Sequence, residues 1–284
     1  MIPVVSIVIP TRNRVHFLPQ AIHSCLMQTG VDIELIIVDD ASIDGTTAFI
    51  SALKEPRIVY VKQDRQCGSV AALNRGFRLA RGQYLTWSSD DDYYSTAEAV
   101  AALAGVLERE PAVGFVYAHY DRVDEGGKFI CEARVEDPPG LDRDNYVGHC
   151  FLYRRNVYET IGDYNPEFFL TEEYEYWLRI RQKFIMKRIP QRLYCHRMHP
   201  QSLTMTHREE QVQAMVARAR KKFIPAWKQH FYLAETHYHT GYSLKAIGNA
   251  VLSLILNPIN RAGWRILVLN VFPAAVITFV CGKK

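Results

Sequence analysis

Three consecutive carboxylates, Asp90, Asp91 and Asp92, follow the apolar residues 84–87, where a β-strand is expected to end. In an open α/β sheet, ligands bind in the crevice beyond the carboxyl ends of the strands. Successive side chains there point to opposite faces, so the three carboxylates are not expected to hold one ion. We expect one to bind Mg²⁺ or Mn²⁺, which prefer oxygen ligands, and a neighbour to bind a sugar or ribose hydroxyl. The alternative is a solvated acidic turn that caps a helix beginning near residue 95.

The elements that must position these acids alternate along the first third of the chain. Apolar runs and apolar residues at helical spacing predict a strand over 4–10, a helix over 16–28, strands over 34–38 and 57–61, a helix over 69–81 and a strand over 83–87. Asp39 and Asp40 also follow a predicted strand. Right-handed crossovers would assemble these elements into an α/β, doubly wound, mostly parallel sheet, with the acids gathered along one edge.

Seven segments in this order resemble the motifs of one enzyme family, the family 2 glycosyltransferases. They are residues 5–14 (VSIVIPTRNR), 36–46 (IIVDDASIDGT), 68–76 (GSVAALNRG), 86–94 (TWSSDDDYY), 150–155 (CFLYRR), 171–179 (TEEYEYWLR) and 199–204 (HPQSLT). The resemblance covers roughly residues 3–205. It implies the Rossmann-like glycosyltransferase A fold and a nucleotide-sugar donor.

The resemblance also implies a nucleotide pocket. Asp40 matches the position that hydrogen-bonds the base, commonly uracil, and Pro10, Thr11, Arg12 and Asn74 are placed in the same pocket. The family usually has Tyr where this chain has Arg12, although a guanidinium can also stack on a base. The implied donor is therefore a UDP-sugar.

A divalent cation, Mn²⁺ or Mg²⁺, is implied beside the nucleotide. Asp91 matches the metal-ligating aspartate, and Asp90 matches the neighbour that faces the ribose. The commonest form of the motif has an acid where this chain has Ser89. A single carboxylate suits a cation that is held mainly by diphosphate and water. His199 matches a loop histidine that closes over the diphosphate or reaches the metal; the alternative is a solvated histidine.

A catalytic base is needed because an attacking hydroxyl must lose its proton in inverting transfer, and a general base contributes roughly 10²- to 10⁴-fold in rate. Glu173 holds the family position of the base, and Glu172 is the second choice. The alternative is that Glu172, Glu173 and Glu175 only complement the dipole of the helix they begin. That alternative does not account for Trp177 and Arg179 at the family spacing.

The leaving diphosphate requires positive charge. Arg75, Arg179 or Arg197 would supply it, and no spacing chooses among them. Trp177 is placed with Arg179 and Arg197 as a contact to the diphosphate or the acceptor. Residues 121–145 are expected to frame the acceptor, which we expect to be a saccharide or lipid-linked saccharide.

Other chemistry finds little support in the chain. A net charge of +4 is too small to indicate nucleic acid. The motifs of phosphate-binding loops and dinucleotide sites are absent from the sequence. The pairs His149–Cys150 and Cys195–His196, with His199, fit no common structural zinc spacing. Six scattered cysteines are interpreted as reduced thiols of a cytoplasmic protein.

We predict two domains. Residues 1–207 would be the catalytic domain, with a nucleotide-binding part over 1–95 and an acceptor part over 96–207, and residues 208–284 would be a helical extension. Within the extension, residues 230–258 resemble one helix pair of a tetratricopeptide repeat. One pair cannot bury its own apolar face, so it would pack on the catalytic domain or on a partner.

The chain ends in an apolar segment, residues 264–281, between basic residues. Its length and flanks suit a helix in the membrane interface, so residues 262–284 are predicted to make a peripheral contact with the inner face of the cell membrane. The alternative is a core or dimer helix, and the sequence does not indicate an oligomeric state.

The sequence therefore predicts a metal-dependent hexosyltransferase-like enzyme in the synthesis of polysaccharide or cell-surface glycan. Two alternatives remain. One is a catalytically inactive nucleotide-sugar-binding scaffold in a glycan-assembly complex. The other is a sugar nucleotidylyltransferase, which would need a glycine-rich loop after the first strand that residues 10–14 do not supply.

Overall fold

The computed structural model of the chain describes residues 4–202, 206, 209–239, 243–264 and 266. It divides the chain into two compact units. The first, which we call the sheet unit, comprises Met1–Leu141 and Asn145–Met215, and the second, the helical unit, comprises Asp142–Asp144 and Val216–Lys284. The predicted domain boundary between residues 207 and 208 lies outside the described residues.

The described strands of the sheet unit form one nine-stranded sheet. They are β1 (Val5–Thr11), β2 (Ile33–Asp39), β3 (Ile58–Lys62), β4 (Tyr84–Trp87), β5 (Tyr93–Tyr94), β6 (Val113–Val123), β7 (Phe129–Glu132), β8 (Phe151–Arg154) and β9 (Ile185–Arg197). The order is β3-β2-β1-β4-β8-β6-β9-β5, with β7 paired to β6. Strands β1 to β4 are parallel to one another, whereas β8 is antiparallel to both β4 and β6. The predicted α/β sheet is confirmed, and its second half is mixed.

Helices connect the strands. In the described residues they are α1 (Leu18–Leu26), α2 (Thr46–Ala52), α3 (Ser69–Leu79), α4 (Ala99–Arg109), α5 (Arg155–Ile161), α6 (Glu172–Arg181), α7 (Glu209–Phe223), α8 (Ala226–His239) and α9 (Ser243–Leu256). α3 packs on β1 and β2. It approaches closely because Gly76 has no side chain: a Cβ there would collide with Val8 and also press on Val38.

The first two strands are almost completely buried, as parallel strands covered on both faces require. Two of their polar side chains, Ser6 and Glu34, are paired with each other. Ser6 Oγ donates to Glu34 Oε1 (2.6 Å), and the same oxygen accepts from the backbone N–H of Arg81. This pairing satisfies a carboxylate in the middle of the sheet, where an unpaired one would be costly.

α4 begins at Ala99, later than the predicted start near residue 95. Gln28, two residues after the end of α1, hydrogen-bonds the backbone around this start. Its side-chain N–H donates to Thr96 O (2.9 Å), and its carbonyl accepts from Val100 N (2.9 Å). Gln28 thus satisfies an N–H in the first turn of α4, where the N-cap residue Glu98 makes no side-chain capping hydrogen bond.

In the helical unit, α8 and α9 pack together around Ala234, Ala250 and Ile266, with Phe231 against them. Two packed helices thus lie in the region predicted to contain a pair, and their likeness to a tetratricopeptide repeat stays a prediction. No helix among the described residues is long and apolar enough to cross a membrane. Apart from Trp264 and Ile266, the apolar segment predicted to contact the membrane lies outside the described residues.

Candidate active site

The predicted polar residues follow the carboxyl ends of three neighbouring parallel strands. Thr11 ends β1, Asp39 ends β2, and Asp90–Asp92 come three residues after β4. The first two ends are in register, with Thr11 opposite Asp39, and the N–H of Asp40 donates to Thr11 O (2.9 Å). The alternation of strand and helix therefore brings these segments to one edge of the sheet.

Asp40 organises the segment between β3 and α3. Its carboxylate accepts from Gln63 Nε2 (2.8 Å), Cys67 N (2.6 Å) and Gly68 N (2.8 Å). A carboxylate has roughly four acceptor positions, so about one stays available to a ligand. Asp40 can thus position this loop and still accept the N–H of a base, as the resemblance implies.

A cavity of about 660 Å³ opens beside this loop. Its lining includes Gln63 and Gly68 from the loop, Asn74 and Arg75 from α3, and Phe169. The volume lies within the usual range for small-molecule sites. Arg75 is exposed, so its guanidinium is available to an anion in this cavity.

Asp90 faces the loop that follows β1. The backbone N–H of Arg12 donates to Asp90 Oδ2 (3.4 Å), and Arg14 Nε lies 3.8 Å from Asp90 Oδ1. Burial, and then the charge of Asp91, raise the pKa of Asp90 to about 8. Arg14 is a neighbour that the sequence argument did not single out, although it ends the first motif.

Asp91 and His199 form a second pair. His199 Nε2 lies 2.9 Å from Asp91 Oδ2, and Ser89 Oγ donates to Asp91 Oδ1 (2.6 Å). Two ligand atoms at adjacent positions of an octahedral ion with bonds of 2.0–2.1 Å are roughly 3 Å apart. The two side chains are hydrogen-bonded to each other, and their spacing is also compatible with a common divalent cation, so their role as metal ligands stays a prediction.

Asp92 points to the other side of the loop and is fully buried. It accepts from the backbone N–H of Arg197 (2.8 Å), and Asp92 Oδ2 lies 3.1 Å from His196 Nδ1. Burial raises the pKa of Asp92. Burial lowers the pKa of His196, but the charge of Asp92 and its hydrogen bond outweigh that effect, so the net shift is upward.

The first turn of α6 carries the predicted base. Glu173 Oε1 is buried, accepts no hydrogen bond and lies 3.9 Å from His149 Nδ1. Burial, and then the charge of Glu172, raise the pKa of Glu173 to about 8. Burial also raises the pKa of Glu172. A carboxylate in this environment is a stronger proton acceptor than an exposed one once it is ionised.

His149 connects the base to the aspartate loop. Its ring stacks on that of His196 with centroids 4.1 Å apart and planes 8° apart. Asp92 contacts His196, His196 stacks on His149, and His149 lies near Glu173, so the four residues form one cluster. His149 was considered in the sequence only as part of a zinc spacing with Cys150, because the loop before β8 and the strand β9 are distant in sequence and give no local signal of proximity.

Three other predicted site residues have structural partners. Trp177 is fully buried and packs on Phe115 and Phe151. The Arg179 guanidinium binds Glu175 (2.9 Å) and the carbonyls of residues 161 and 163. Asn74 exchanges two hydrogen bonds with the backbone of residue 164. Their assigned contacts to nucleotide, diphosphate or acceptor stay predictions.

Arg197 also has several hydrogen-bond partners within the protein. Its guanidinium donates to Asp91 O (2.8 Å), to Glu125 O and to Gln20 Oε1. The side chain is buried and lies over the rings of Phe17 and Tyr93. Arg197 therefore holds the aspartate loop in place, while its predicted contact to the diphosphate stays a prediction.

Backbone strain is concentrated beside the same residues. Asn13, Ala41 and Leu170 are the described non-glycine residues with positive φ, at 54°, 57° and 76°. They lie next to Arg12 and Arg14, next to Asp40, and two residues before Glu172. Such conformations cost about 1–3 kcal/mol each and are common at functional sites.

Comparisons with known proteins identify the family of this chain. The family model described as "Glycosyl transferase family 2" matches residues 6–162. A PGL/p-HBAD biosynthesis glycosyltransferase of Mycobacterium tuberculosis is 31% identical, over 62% of this chain and 69% of that protein. An uncharacterized glycosyltransferase of Rickettsia bellii is 25% identical over 93% of this chain. The chain spans only 43% of the length of that Rickettsia relative.

Solved structures show the same fold. Staphylococcus aureus TarS 1-349 in complex with UDP-GlcNAc has a TM-score of 0.64 and 15% identity, covering 93% of this chain and 83% of that chain. The mannosyltransferase PcManGT from Pyrobaculum calidifontis, in complex with GDP-Man and Mn²⁺, has a TM-score of 0.54 and 14% identity, covering 98% and 79%. Because the family model covers more than half of the sequence and the sheet unit has the glycosyltransferase A architecture, this chain belongs to glycosyl transferase family 2.

Proposed function

We propose that the protein is an inverting glycosyltransferase that uses a UDP-sugar and a divalent cation. The acceptor is a hydroxyl of a saccharide or lipid-linked saccharide, in the synthesis of polysaccharide or cell-surface glycan. The observation that carries this proposal is the arrangement of two carboxylates, Asp91 paired with His199 and Glu173 in the adjoining histidine cluster. Asp91 and His199 would bind the diphosphate through the cation, and Glu173 would accept a proton.

On the donor side, Asp40 accepts a hydrogen bond from the base, and Asp90 faces the ribose. Asp91 and His199 would hold a divalent cation, which when bound would offset the charge of the leaving diphosphate. Arg75 is exposed in the neighbouring cavity and supplies further positive charge. Arg197 acts by holding the aspartate loop at the end of β4.

On the acceptor side, Glu173 accepts the proton of the attacking hydroxyl. The acceptor oxygen forms a bond to the anomeric carbon as the bond from that carbon to the diphosphate breaks, and the products are the glycoside and UDP. Burial, and then the negative charge of Glu172, keep the pKa of Glu173 high. The base is thereby matched to proton transfer near neutral pH.

The names of similar proteins support the class of substrate. The TarS structure contains UDP-GlcNAc, whereas the mannosyltransferase structure contains GDP-Man and Mn²⁺. The fold therefore accommodates more than one nucleotide, and uridine is proposed from the motif around Asp40. The mycobacterial relative is named for PGL/p-HBAD biosynthesis, which supports a role in glycan synthesis at the cell surface.

The donor side is tested by calorimetric titration of the protein with UDP and with GDP, each with and without Mn²⁺. We expect UDP to bind more tightly than GDP, with affinity increased by Mn²⁺. Asp91→Asn should remove the increase and leave the weak metal-free binding. Tighter binding of GDP would overturn the choice of base, and binding of neither nucleotide would overturn the proposal.

A further inference from the structure

The proposed base faces a histidine across a short gap. Glu173 lies in the first turn of α6, and His149 lies two residues before β8. Oε1 of Glu173 is 3.9 Å from Nδ1 of His149. A hydrogen bond between such atoms measures about 2.9 Å, so none is formed at this distance. A movement of about 1 Å by either side chain would form one.

Both atoms lack a partner. Among the described residues, Nδ1 of His149 and Oε1 of Glu173 are buried and form no hydrogen bond. Buried polar atoms in folded proteins nearly always have a partner, so two that face each other require an explanation. Hydrogen bonds of catalytic groups are often long in the free enzyme and shorten when the substrate binds. The gap therefore fits a hydrogen bond that forms in the occupied site.

Packing holds the imidazole of His149 beside the base. Its ring is stacked on that of His196, with centroids 4.1 Å apart, and the Tyr120 ring meets both nearly edge-on. Gly148 has φ +75°, and a Cβ at that position would overlap the Tyr120 ring. The turn before His149 therefore needs glycine, and it carries the imidazole toward Glu173.

The surroundings of His149 keep its ring neutral. Burial, and then the positive charges of His196 and Arg122, hold the pKa of His149 well below its usual value. A neutral imidazole carries one N–H, on Nδ1 or on Nε2, and a proton on Nδ1 can be donated to Glu173. The titratable groups that act on the pair, or respond to its charge, are Glu172 on α6, Asp92 before β5, Tyr120 and Arg122 on β6, Tyr164 before α6 and His196 on β9.

We propose that His149 is a positioning residue for the base: in the occupied site its Nδ1–H donates to Oε1 of Glu173 and holds the ionised carboxylate in one orientation. Oε2 of Glu173 is then left to accept the proton of the attacking hydroxyl. A base held in the reactive orientation raises the rate, because that orientation no longer has to be found during the reaction. This role rests on the proposed function, in which Glu173 is the base.

The hydrogen bond has a signature in the pH dependence of the reaction. A hydrogen bond donated to the ionised form of an acid lowers its pKa. The free enzyme sets the midpoint of the pH profile of kcat/KM, whereas the substrate complex sets that of kcat. Because the bond forms only in the complex, the midpoint for kcat of the native protein should lie about one pH unit below the midpoint for kcat/KM.

The test is hydrolysis, by the full chain with Mg²⁺, of the UDP-sugar that is hydrolysed fastest, measured across pH. His149→Phe keeps an aromatic ring against His196 but has no N–H, so the two midpoints should coincide. His149→Asn carries an amide N–H near the position of Nδ1 and should restore much of the difference. His119→Phe makes the same change at a histidine outside the cluster and should leave the difference intact.

Equal midpoints in the native protein would overturn the role of His149, as would a difference that survives in His149→Phe. A purely structural role would give the second result, with kcat of the variant lowered at every pH. Absence of hydrolysis by the native protein would be a different failure, because it would overturn the proposed function and the role of His149 with it.

Nitrogen-15 NMR of the histidine side chains, with UDP and Mg²⁺ bound, tests the same hydrogen bond without turnover. The signals that disappear in His149→Phe belong to His149, and we expect them to show the proton on Nδ1. A proton on Nε2 alone would contradict the donation to Glu173.

Discussion

Nε2 of His199 lies 2.9 Å from Oδ2 of Asp91, and both side chains are nearly buried. The two residues are distant in sequence, on the loop after β4 and the loop after β9. The separation is that of a direct hydrogen bond and also that of adjacent ligands of one cation, so we propose that the loop at residues 198–202 completes the donor site.

We expect Asp91→Asn and His199→Ala to weaken the effect of Mn²⁺ on UDP binding, and the double variant to be little worse than the more damaging single one. Ligands of one ion act as a unit, so their effects are not additive. A double-mutant cycle, built from the UDP affinities measured by calorimetry with Mn²⁺, gives the coupling between the two residues. Strictly additive losses would show that the two residues act at separate sites.

Glu173→Gln should lower kcat by roughly 10²- to 10⁴-fold, the usual contribution of a general base, while UDP binding stays unchanged. Glu172→Gln is the matched control, because it removes the neighbouring carboxylate on the same turn of α6. It should lower kcat much less. If Glu172→Gln has the larger effect, the roles of the two glutamates are reversed.

The pH dependence of activity follows from the same group. Burial and Glu172 raise the pKa of Glu173 to about 8, and the base acts only when ionised. With Mg²⁺ as the added metal, kcat/KM of the chelator-treated protein should rise with pH and reach half of its plateau near that pKa. The residual activity of Glu173→Gln should not show this rise.

The raised pKa of Glu173 also makes the free energy of unfolding depend on pH. An unfolded glutamate has a pKa of about 4.3, below that of folded Glu173, so the folded chain binds more protons between the two values. The contribution of Glu173 to the free energy of unfolding is therefore fully present at low pH and falls as pH rises to about 8. Chemical denaturation of Glu173→Gln should show a smaller fall.

Arg197→Lys should lower the free energy of unfolding by at least about 2 kcal/mol, because an ammonium group cannot replace a guanidinium that reaches three separate acceptors. Arg75→Lys, at an exposed position on α3, should change it by less than about 0.5 kcal/mol. Urea denaturation compares the two. Equal stability of both variants would show that Arg197 does not hold the aspartate loop.

The donor half of the site could be predicted because its signals are local. Buried runs in β1, β2 and β4 end in Thr11, Asp39 and the aspartates after Trp87, and parallel pairing necessarily brings such ends to one edge. The start of α4 could not be predicted, because Gln28, which satisfies an N–H of its first turn, lies in the segment after α1, far from α4 in sequence. The antiparallel insertion of β8 between β4 and β6 is likewise a long-range pairing.

The acceptor half was less predictable for the same reason. Glu173 is recognisable from its motif, but the contact between His149 and His196 depends on the pairing of distant strands. Arg179 and Arg197 were assigned to the diphosphate by charge alone. The structure shows that both bind backbone carbonyls, a use that charge and spacing do not reveal.

The most direct test of the proposed function is release of UDP from a panel of UDP-sugars, with and without Mn²⁺, by the native chain, Asp91→Asn and Glu173→Gln. Slow hydrolysis of the donor does not require the true acceptor. We predict that one UDP-sugar is hydrolysed only with metal and that both variants lose this activity. Tight nucleotide binding without any release, even with crude lipid acceptors, would contradict the enzyme and indicate a nucleotide-sugar-binding scaffold.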